Sequence, residues 1–446
     1  MTEDTIFAPA SGAPPSGVAV VRLSGPGAGE ALAALASCGV PEPRRATLAE
    51  IRDGLGGPVL DRGLVLWFPG PRSFTGEDVA ELHLHGGRAV VAAVLTALGR
   101  RPGLRLAEPG EFSRRAFLAG KLDLTAVEGL ADLVAAETEA QRRQALRQME
   151  GGLARLYDGW RDRLVRALAH LEASIDFADE EVPDGLAAAA REAAAALAQE
   201  IAGHLADGHR GERLRTGFRM AILGPPNAGK SSLLNRLARR DAAIVSERAG
   251  TTRDVIEVHL DLGGYPVVAV DTAGLREAAD EIEREGVTRA RAQAAGADLR
   301  LVVLDGADLP ALDPAALDLV DGTALVLVNK ADLLTDPATV PASVAGRPVF
   351  AVSARTGAGL DGLLAALEGE VRDRFGGAGD AVLTRARHRE ALEGAVDHLD
   401  RAAAGTAPEL LAEDLRLAAR ALGRITGRVD VEDLLDVIFR DFCIGK

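Results

Sequence analysis

MAILGPPNAGKS, residues 220–231, is an apolar strand-like run that ends at a glycine, passes through a short loop and opens a helix. That context is what a phosphate-binding loop requires. Gly224 and Gly229 let backbone N–H groups close around phosphate oxygens at a helix N-terminus, Lys230 reaches the β- and γ-phosphates, and Ser231 offers a hydroxyl to Mg²⁺. Asn227, Ala228 and Ser232 belong to the same candidate cradle.

Working outward, the apolar runs RMAILG, VVAVDTAG, LRLVVLDG, ALVLVNKAD and VFAVSA alternate with helical stretches between about 216 and 372. Repeated strand–helix alternation predicts a mainly parallel sheet with helices on its faces. Several of these strands end in motifs. In NKAD (329–332), Asp332 can accept from both the N1–H and the exocyclic amine of guanine, a pair of donors adenine lacks. Lys330 would lie over the purine and Asn329 would tie this loop to the phosphate loop. SAR (353–355) contributes Ser353, the backbone N–H of Ala354 for the guanine oxygen, and Arg355. DTAG (271–274) supplies Asp271 for the metal and Gly274 for the γ-phosphate, with Thr272 and Ala273 between them. In GTTRD, Thr251 or Thr252 can close over Mg²⁺ as a switch. The order and spacing of these five elements predict GTP and Mg²⁺ as the bound species.

The residue after DTAG is Leu275. Ras-like proteins orient the attacking water with a glutamine there, which leucine cannot do. The segment LREAADEIEREG offers Glu277, Glu281, Glu283 and Glu285 instead, each of which reads equally well as a solvated helix-face charge. Asn227 could supply a carbonyl ligand to a monovalent cation placed where an arginine finger would sit.

The bulk numbers set limits. A chain of 446 residues suggests two or three domains. Its 47% hydrophobic and 26% charged content is that of an ordinary soluble protein, and no apolar run approaches the eighteen or so residues of a membrane span. With no basic-then-apolar leader at the start, the expected location is the cytoplasm, with no membrane partner. A net charge of −15 argues against electrostatic coating of nucleic acid, so RNA would need a local patch or a basic partner. Cys38 and Cys443 form neither a disulfide framework nor a ligand set. Only four of the 51 Lys and Arg residues are lysines, and Lys121, Lys230, Lys330 and Lys446 each fall inside a motif. A compact ammonium and a planar guanidinium are not exchangeable in a tight site, so these positions are candidates for chemistry.

The remaining text divides by period. Residues 1–120 carry strand-like runs at 18–23, 64–68 and 79–85 and one helical stretch near 88–100, an α+β pattern with balanced charge. Residues 121–215 and 373–446 read as helical, with the acidic DFADEEVPD at 176–184 as a connecting loop. The expected fold is multidomain: an α+β N-terminal domain (1–120) and a helical domain (121–215 and 373–446) split by an inserted α/β P-loop GTPase domain (216–372). His83 and His85 share one face of a strand but lack a third ligand, so a structural role is expected.

The chain resembles the MnmE (TrmE) family of bacterial tRNA-modification GTPases, nearly end to end. Besides the nucleotide motifs, the likeness rests on VRLSGP (21–26), GEDVAELHLHGG (76–87), PGEFSRRAFLAGKLDLTAVEGLADLV (109–134), GTTRDV (250–255) and ITGRVDVEDLLDVIFRDFCIGK (425–446). The resemblance implies a potassium-stimulated GTPase with Glu283 as catalytic glutamate. It implies K⁺ ligands at Asn227, Ser246, Arg248 and Thr251 and a Mg²⁺ ligand at Thr252 beside Ser231, with Arg253 and Arg276 in the switch motifs. It further implies an N-terminal homodimer that takes 5-formyltetrahydrofolate or a related one-carbon tetrahydrofolate at Arg22, Glu81, Lys121 and Lys446, with Cys443 nearby. Partners would be tRNA and the FAD- and NADH-using flavoprotein MnmG, in a heterotetramer that modifies carbon 5 of the wobble uridine. The cationic Arg22, Lys121 and Lys446 suit folate carboxylates or the pterin carbonyl, and Glu81 suits pterin N–H donors. PPSG at 14–17 departs from the family's usual GRGG, and Ser246 replaces a commoner threonine. Competing readings are an Era-like ribosome-assembly GTPase, which should carry a basic RNA-binding domain, and a GTP-switched scaffold.

Overall fold

The structure, a computed structural model, describes residues 4–176, 185–207, 209–239, 256–271, 296–310, 312, 314–375, 383–429, 435, 438–440, 442 and 444–445. The chain divides into two compact units. Residues 1–131, 148–194 and 398–446 form the first, and residues 132–147 and 195–397 the second.

The first unit is built on a six-stranded sheet of order β3-β4-β5-β2-β1-β6. The strands are β1 (Thr5–Pro9), β2 (Ser16–Ser24), β3 (Thr47–Arg52), β4 (Val59–Phe68), β5 (Val79–Gly86) and β6 (Leu104–Leu106). β1 and β6 run parallel and the other pairs antiparallel. Alternation decides which side of the sheet is buried. Ala19, Val21 and Leu23 of β2 and Ala80, Leu82 and Leu84 of β5 point into a core closed by Leu32 and Leu35 of α1 (Ala28–Leu35) and Val94 and Leu98 of α2 (Arg88–Gly99). The intervening Arg22 and Glu81 therefore share the opposite face. The sequence pattern located β2, β4, β5 and α2; β1, β3 and β6 are short or lie at or next to the sheet edge and gave no comparable run.

Two long helices complete this unit. α6 (Gly152–Asp176) buries Leu153, Tyr157, Trp160, Leu164 and Leu171 at helical spacing, and the helix Pro408–Thr426, which packs along it, buries Leu411, Leu415, Ala418, Leu422 and Ile425. Pro408 starts that helix, where a missing N–H costs nothing, and Gly427 ends it at φ 87°. Beyond it the chain returns to the amino end. Leu435 and Phe439 pack with Leu124 and Val127, Ile444 pairs with Pro109, and a Cβ on Gly445 would lie 2.0 Å from the Pro9 carbonyl oxygen.

The second unit carries a seven-stranded sheet of order β12-β13-β11-β10-β7-β9-β8. Its strands are β7 (Phe218–Leu223), β8 (Ile256–Leu262), β9 (Tyr265–Asp271), β10 (Leu299–Asp305), β11 (Ala324–Asn329), β12 (Ser343–Val344) and β13 (Arg347–Ala351). The five central strands are parallel, and β8 and β12 are antiparallel edges. β7, β10 and β11 read as continuous apolar runs because both faces are covered. Met220, Ile222, Leu301, Val303 and Leu327 face one core, shared with α9 (Lys230–Ala238) and the helix Leu360–Phe375, while Val302, Leu304, Val326 and Val328 face another. The expected inserted α/β architecture is present, between helical stretches. α5 (Glu139–Met149) meets the β8–β9 hairpin in this unit, where Ala140 N–H donates to the Gly264 carbonyl at 3.0 Å and His259 Nδ1 lies 2.9 Å from a Glu137 carboxylate oxygen. Among the described residues no helix is long and apolar enough to cross a membrane.

Candidate functional site

β7 sits mid-sheet, so the loop that follows it opens at the carboxyl ends of the parallel strands, where ligands of such sheets bind. The loop's shape depends on its glycines. Gly224 has φ +142°, and a Cβ there would stand 2.1 Å from the Val303 carbonyl oxygen; Gly229 has φ +89°, and a Cβ there would stand 2.2 Å from Asn329 Nδ2. Only glycine fits either place. Asn227 takes a left-handed φ of 62°, and Ser231 and Ser232 lie in the first turn of α9. Lys230 is 6% exposed, and its ammonium donates to the carbonyls of Gly224 at 2.9 Å and Pro225 at 2.7 Å. Anionic phosphate oxygens are stronger acceptors than these two neutral carbonyls, so the lysine suits a phosphate. Asp271 ends β9, in register with Ile222 of β7.

The NKAD and SAR motifs, expected to select guanine, converge on the same edge. Asn329, 2% exposed at the end of β11, donates from Nδ2 to the Ala228 carbonyl at 2.8 Å and accepts on Oδ1 from the Ala354 N–H at 3.0 Å. One side chain thus joins the phosphate loop, NKAD and SAR. Asp332 accepts from the Ser353 hydroxyl and from Arg355. The Ser353 hydrogen bond, and then the Arg355 charge, hold its carboxyl below the ordinary carboxylate range, so it is ionised at neutral pH. Lys330, at φ 60°, sends its ammonium to Asp305 Oδ2 at 2.6 Å. Asp305 was not read from the sequence. It lies twenty-five residues upstream of Lys330 on another strand, and only the strand order brings the two together.

Ser246, Arg248, Thr251, Thr252, Arg253, Thr272, Ala273, Gly274, Arg276 and Glu283 lie outside the described residues, as do Cys443 and Lys446.

The first unit brings other candidates together. Arg22 and Glu81 are register partners on β2 and β5 and form an ion pair at 3.0 Å. The Arg22 guanidinium also lies 5.6 Å from the centroid of Phe74 and 5.8 Å from that of Phe112, both aromatic faces that favour a cation. Lys121 donates to the Pro71 carbonyl and lies against Gly76, on the loop that carries Phe74. Gly445 rests on Pro9, one residue from Ala8, which pairs with Arg22. The chain's described end therefore lies close to the Arg22–Glu81 pair. His83 pairs with Glu81 and His85 with Asp61. Among the described residues no group of three or more His, Cys, Asp or Glu is arranged to hold a metal ion.

A family model for the MnmE helical domain matches residues 124–443, and a model described as the GTP-binding protein TrmE N-terminus matches residues 5–121. The chain belongs to the MnmE family. Among its relatives is the tRNA modification GTPase MnmE of Paramagnetospirillum magneticum, 62% identical over 443 residues that cover 99% of this chain and 100% of the relative. The tRNA modification GTPases MnmE of Rhodospirillum rubrum and Parvibaculum lavamentivorans are 61% and 59% identical, covering 100% and 99% of this chain and all of each relative. The family match thus spans both units.

Proposed function

We propose that this chain hydrolyses GTP as the nucleotide-driven component of a tRNA wobble-uridine C5 modification system, working with a one-carbon tetrahydrofolate and the flavoprotein MnmG in the cytoplasm. The observation that carries the reading is the junction at Asn329. It sets an ionised Asp332, able to accept two guanine N–H donors, at fixed register to a phosphate loop. Selection of guanine over adenine follows from that carboxylate, since adenine would leave it facing an acceptor.

Lys230, Ser231 and the backbone of 227–230 would hold the phosphates, and Ser231 with Thr252 would hold Mg²⁺, which supplies charge neutralisation between the phosphates. The loop suits the anionic phosphates that such an ion accompanies: the buried Lys230 ammonium is held over it by the Gly224 and Pro225 carbonyls. Asp271, Thr272, Ala273 and Gly274 would line the γ-phosphate side, and Ser232, Lys330, Ser353, Ala354 and Arg355 the nucleoside side. K⁺ would be held by Asn227, Ser246, Arg248 and Thr251, and Glu283 would orient the attacking water in place of the glutamine that Leu275 supplants.

Arg22, Glu81, Lys121 and Lys446 would bind the folate. An ion pair flanked by two phenyl rings fits a flat heterocycle bearing both donors and acceptors, and the docking of Gly445 on Pro9 supports bringing the last residue to it. On this reading residues 1–120 dimerise and carry the folate, and 121–215 with 373–446 form the helical body that links them to the nucleotide domain at 216–372.

Steady-state hydrolysis by the full chain, with GTP or ATP in potassium or sodium salts, tests the proposal. Hydrolysis confined to GTP and several-fold faster in potassium supports it. Equal rates in the two salts would remove the cation from the account, and turnover of ATP would remove the guanine assignment.

A further inference from the structure

We infer that Asp305 is a positioning residue for guanine recognition, acting through Lys330. The inference rests on the reading of this edge of the sheet as a guanine-nucleotide site and adds to it a residue that belongs to none of its motifs.

Asp305 closes β10 and stands in register with Asn329, which closes β11, so the two strands release their loops at the same level of the sheet. It is only 9% exposed, and a carboxylate so covered must be satisfied locally. Both of its oxygens are. Oδ1 accepts from the Ala307 N–H at 3.0 Å, and Oδ2 accepts from Lys330 Nζ at 2.6 Å. The first bond shapes the turn after β10. The second reaches across to the neighbouring strand and fixes the end of a side chain that would otherwise be free to move.

Lys330 itself has φ 60°, a conformation a lysine holds only where its surroundings determine it. From there its four methylenes run between the backbone of NKAD and the carboxylate of Asp305, while Asp332 stands two residues further on. A purine whose edge is held by Asp332 would rest on that stem, an apolar surface whose charged tip is anchored elsewhere. Anchoring matters because ordering a free lysine side chain costs conformational entropy, and a stem already fixed spares nucleotide binding that cost. The ion pair also accounts for lysine at this position in a chain that otherwise favours arginine. Oδ2 receives a single compact ammonium, and a planar guanidinium would spread across the space where the base must lie.

The test is a double-mutant cycle on the full chain, read by titration with a fluorescent GDP analogue. Asp305→Asn keeps an acceptor for Ala307 and removes the charge; Lys330→Met keeps the stem length and removes the ammonium. Each single variant should weaken binding by about tenfold. The double variant should be no more than about twofold weaker than Lys330→Met, because the second change removes a partner already gone. In turnover, Asp305→Asn should raise KM for GTP in parallel while kcat at saturation stays within about twofold. A purely structural role for Asp305 would instead give additive losses, and that result overturns the assignment. So does an Asp305→Asn affinity equal to or above that of the unaltered chain, which would mean that the ion pair competes with nucleotide. If Asp305→Asn lowers the melting temperature, Asp305→Ser, which also retains an acceptor for Ala307, carries the same comparison. Absence of guanine-nucleotide binding by the unaltered chain would overturn the underlying site and this assignment with it, whereas tight binding with an unaffected Asp305→Asn overturns this assignment alone.

Discussion

Asn329 donates to the Ala228 carbonyl at 2.8 Å across 101 residues of sequence, and the side-chain amide that makes this bond is the group a Cβ on Gly229 would strike. The loop at 224–231 and the loop that carries NKAD are thus held in register by one buried amide, and glycine at 229 is what leaves room for it.

Gly229→Ala should therefore damage nucleotide binding through the junction as well as through the loop. The new Cβ would lie 2.2 Å from Asn329 Nδ2 at a φ of +89°. Strain of about 1–3 kcal/mol at such a position predicts GDP binding weaker by about fivefold to a hundredfold. Titration calorimetry on the variant checks it, and an unchanged affinity would mean that the loop relaxes without disturbing Asn329.

Asp332→Asn should exchange the specificity. The amide replaces an acceptor-only group with one that also donates, so guanine loses a charge-assisted pair of bonds worth about 3 kcal/mol. GDP affinity should fall by about two orders of magnitude, and xanthosine diphosphate, which presents an acceptor where guanine presents its amine, should gain. Competition between the two nucleotides measures the exchange; equal losses for both would place Asp332 outside the base site.

Acid should leave guanine recognition intact longer than an ordinary carboxylate would allow. The Ser353 hydrogen bond and the Arg355 charge lower the Asp332 pKa, so its ionised form persists as pH falls through the usual carboxylate range. The stability of the N-terminal sheet should follow the same sign. Burial raises Asp4 and Glu111, but hydrogen bonds and charge from Arg105 and Arg115 outweigh it and leave both lowered. Their contribution is complete above the unfolded carboxylate values, near about 4, and is lost as pH falls through the lower folded values. Arg105→Ala should cost about 1 kcal/mol at pH 7, and the difference from the unaltered chain should shrink below about pH 4. Thermal melts across that range decide it, and a difference that grows in acid would reverse the sign.

Glu283→Ala should abolish GTP hydrolysis and leave GDP and GTP affinity within about twofold, because a water-orienting group acts in the transition state. Lost affinity would mark Glu283 as a structural residue.

Local chemistry was legible in the sequence and tertiary pairing was not. GPPNAGKS, NKAD and SAR are each a few consecutive residues at a strand end, so their order alone pointed to one sheet edge, and the structure brings the described ones there. The strand-like run at 79–85 located β5 and set His83 and His85 on one face, but nothing local announced that Arg22 would be the register partner of Glu81. Asp305 was hidden for the same reason, being an aspartate at a strand end with no motif around it. The buried Arg115, which draws Asp4, Glu77 and Glu111 together, spans 111 residues to its first partner and leaves no periodic trace. Short strands such as β6, three residues long, lack enough alternation to be read at all.

Whether guanine-nucleotide chemistry in this chain drives alteration of a tRNA base can be decided in cells lacking their own member of the family. Such cells would be supplied with either the unaltered chain or Asp332→Asn, and their tRNA hydrolysed to nucleosides for mass analysis. The unaltered chain should restore the aminomethyl-type C5 modification at the wobble uridine, and Asp332→Asn should not. Restoration by both, or by neither while both chains are folded and the flavoprotein is present, would contradict that expectation.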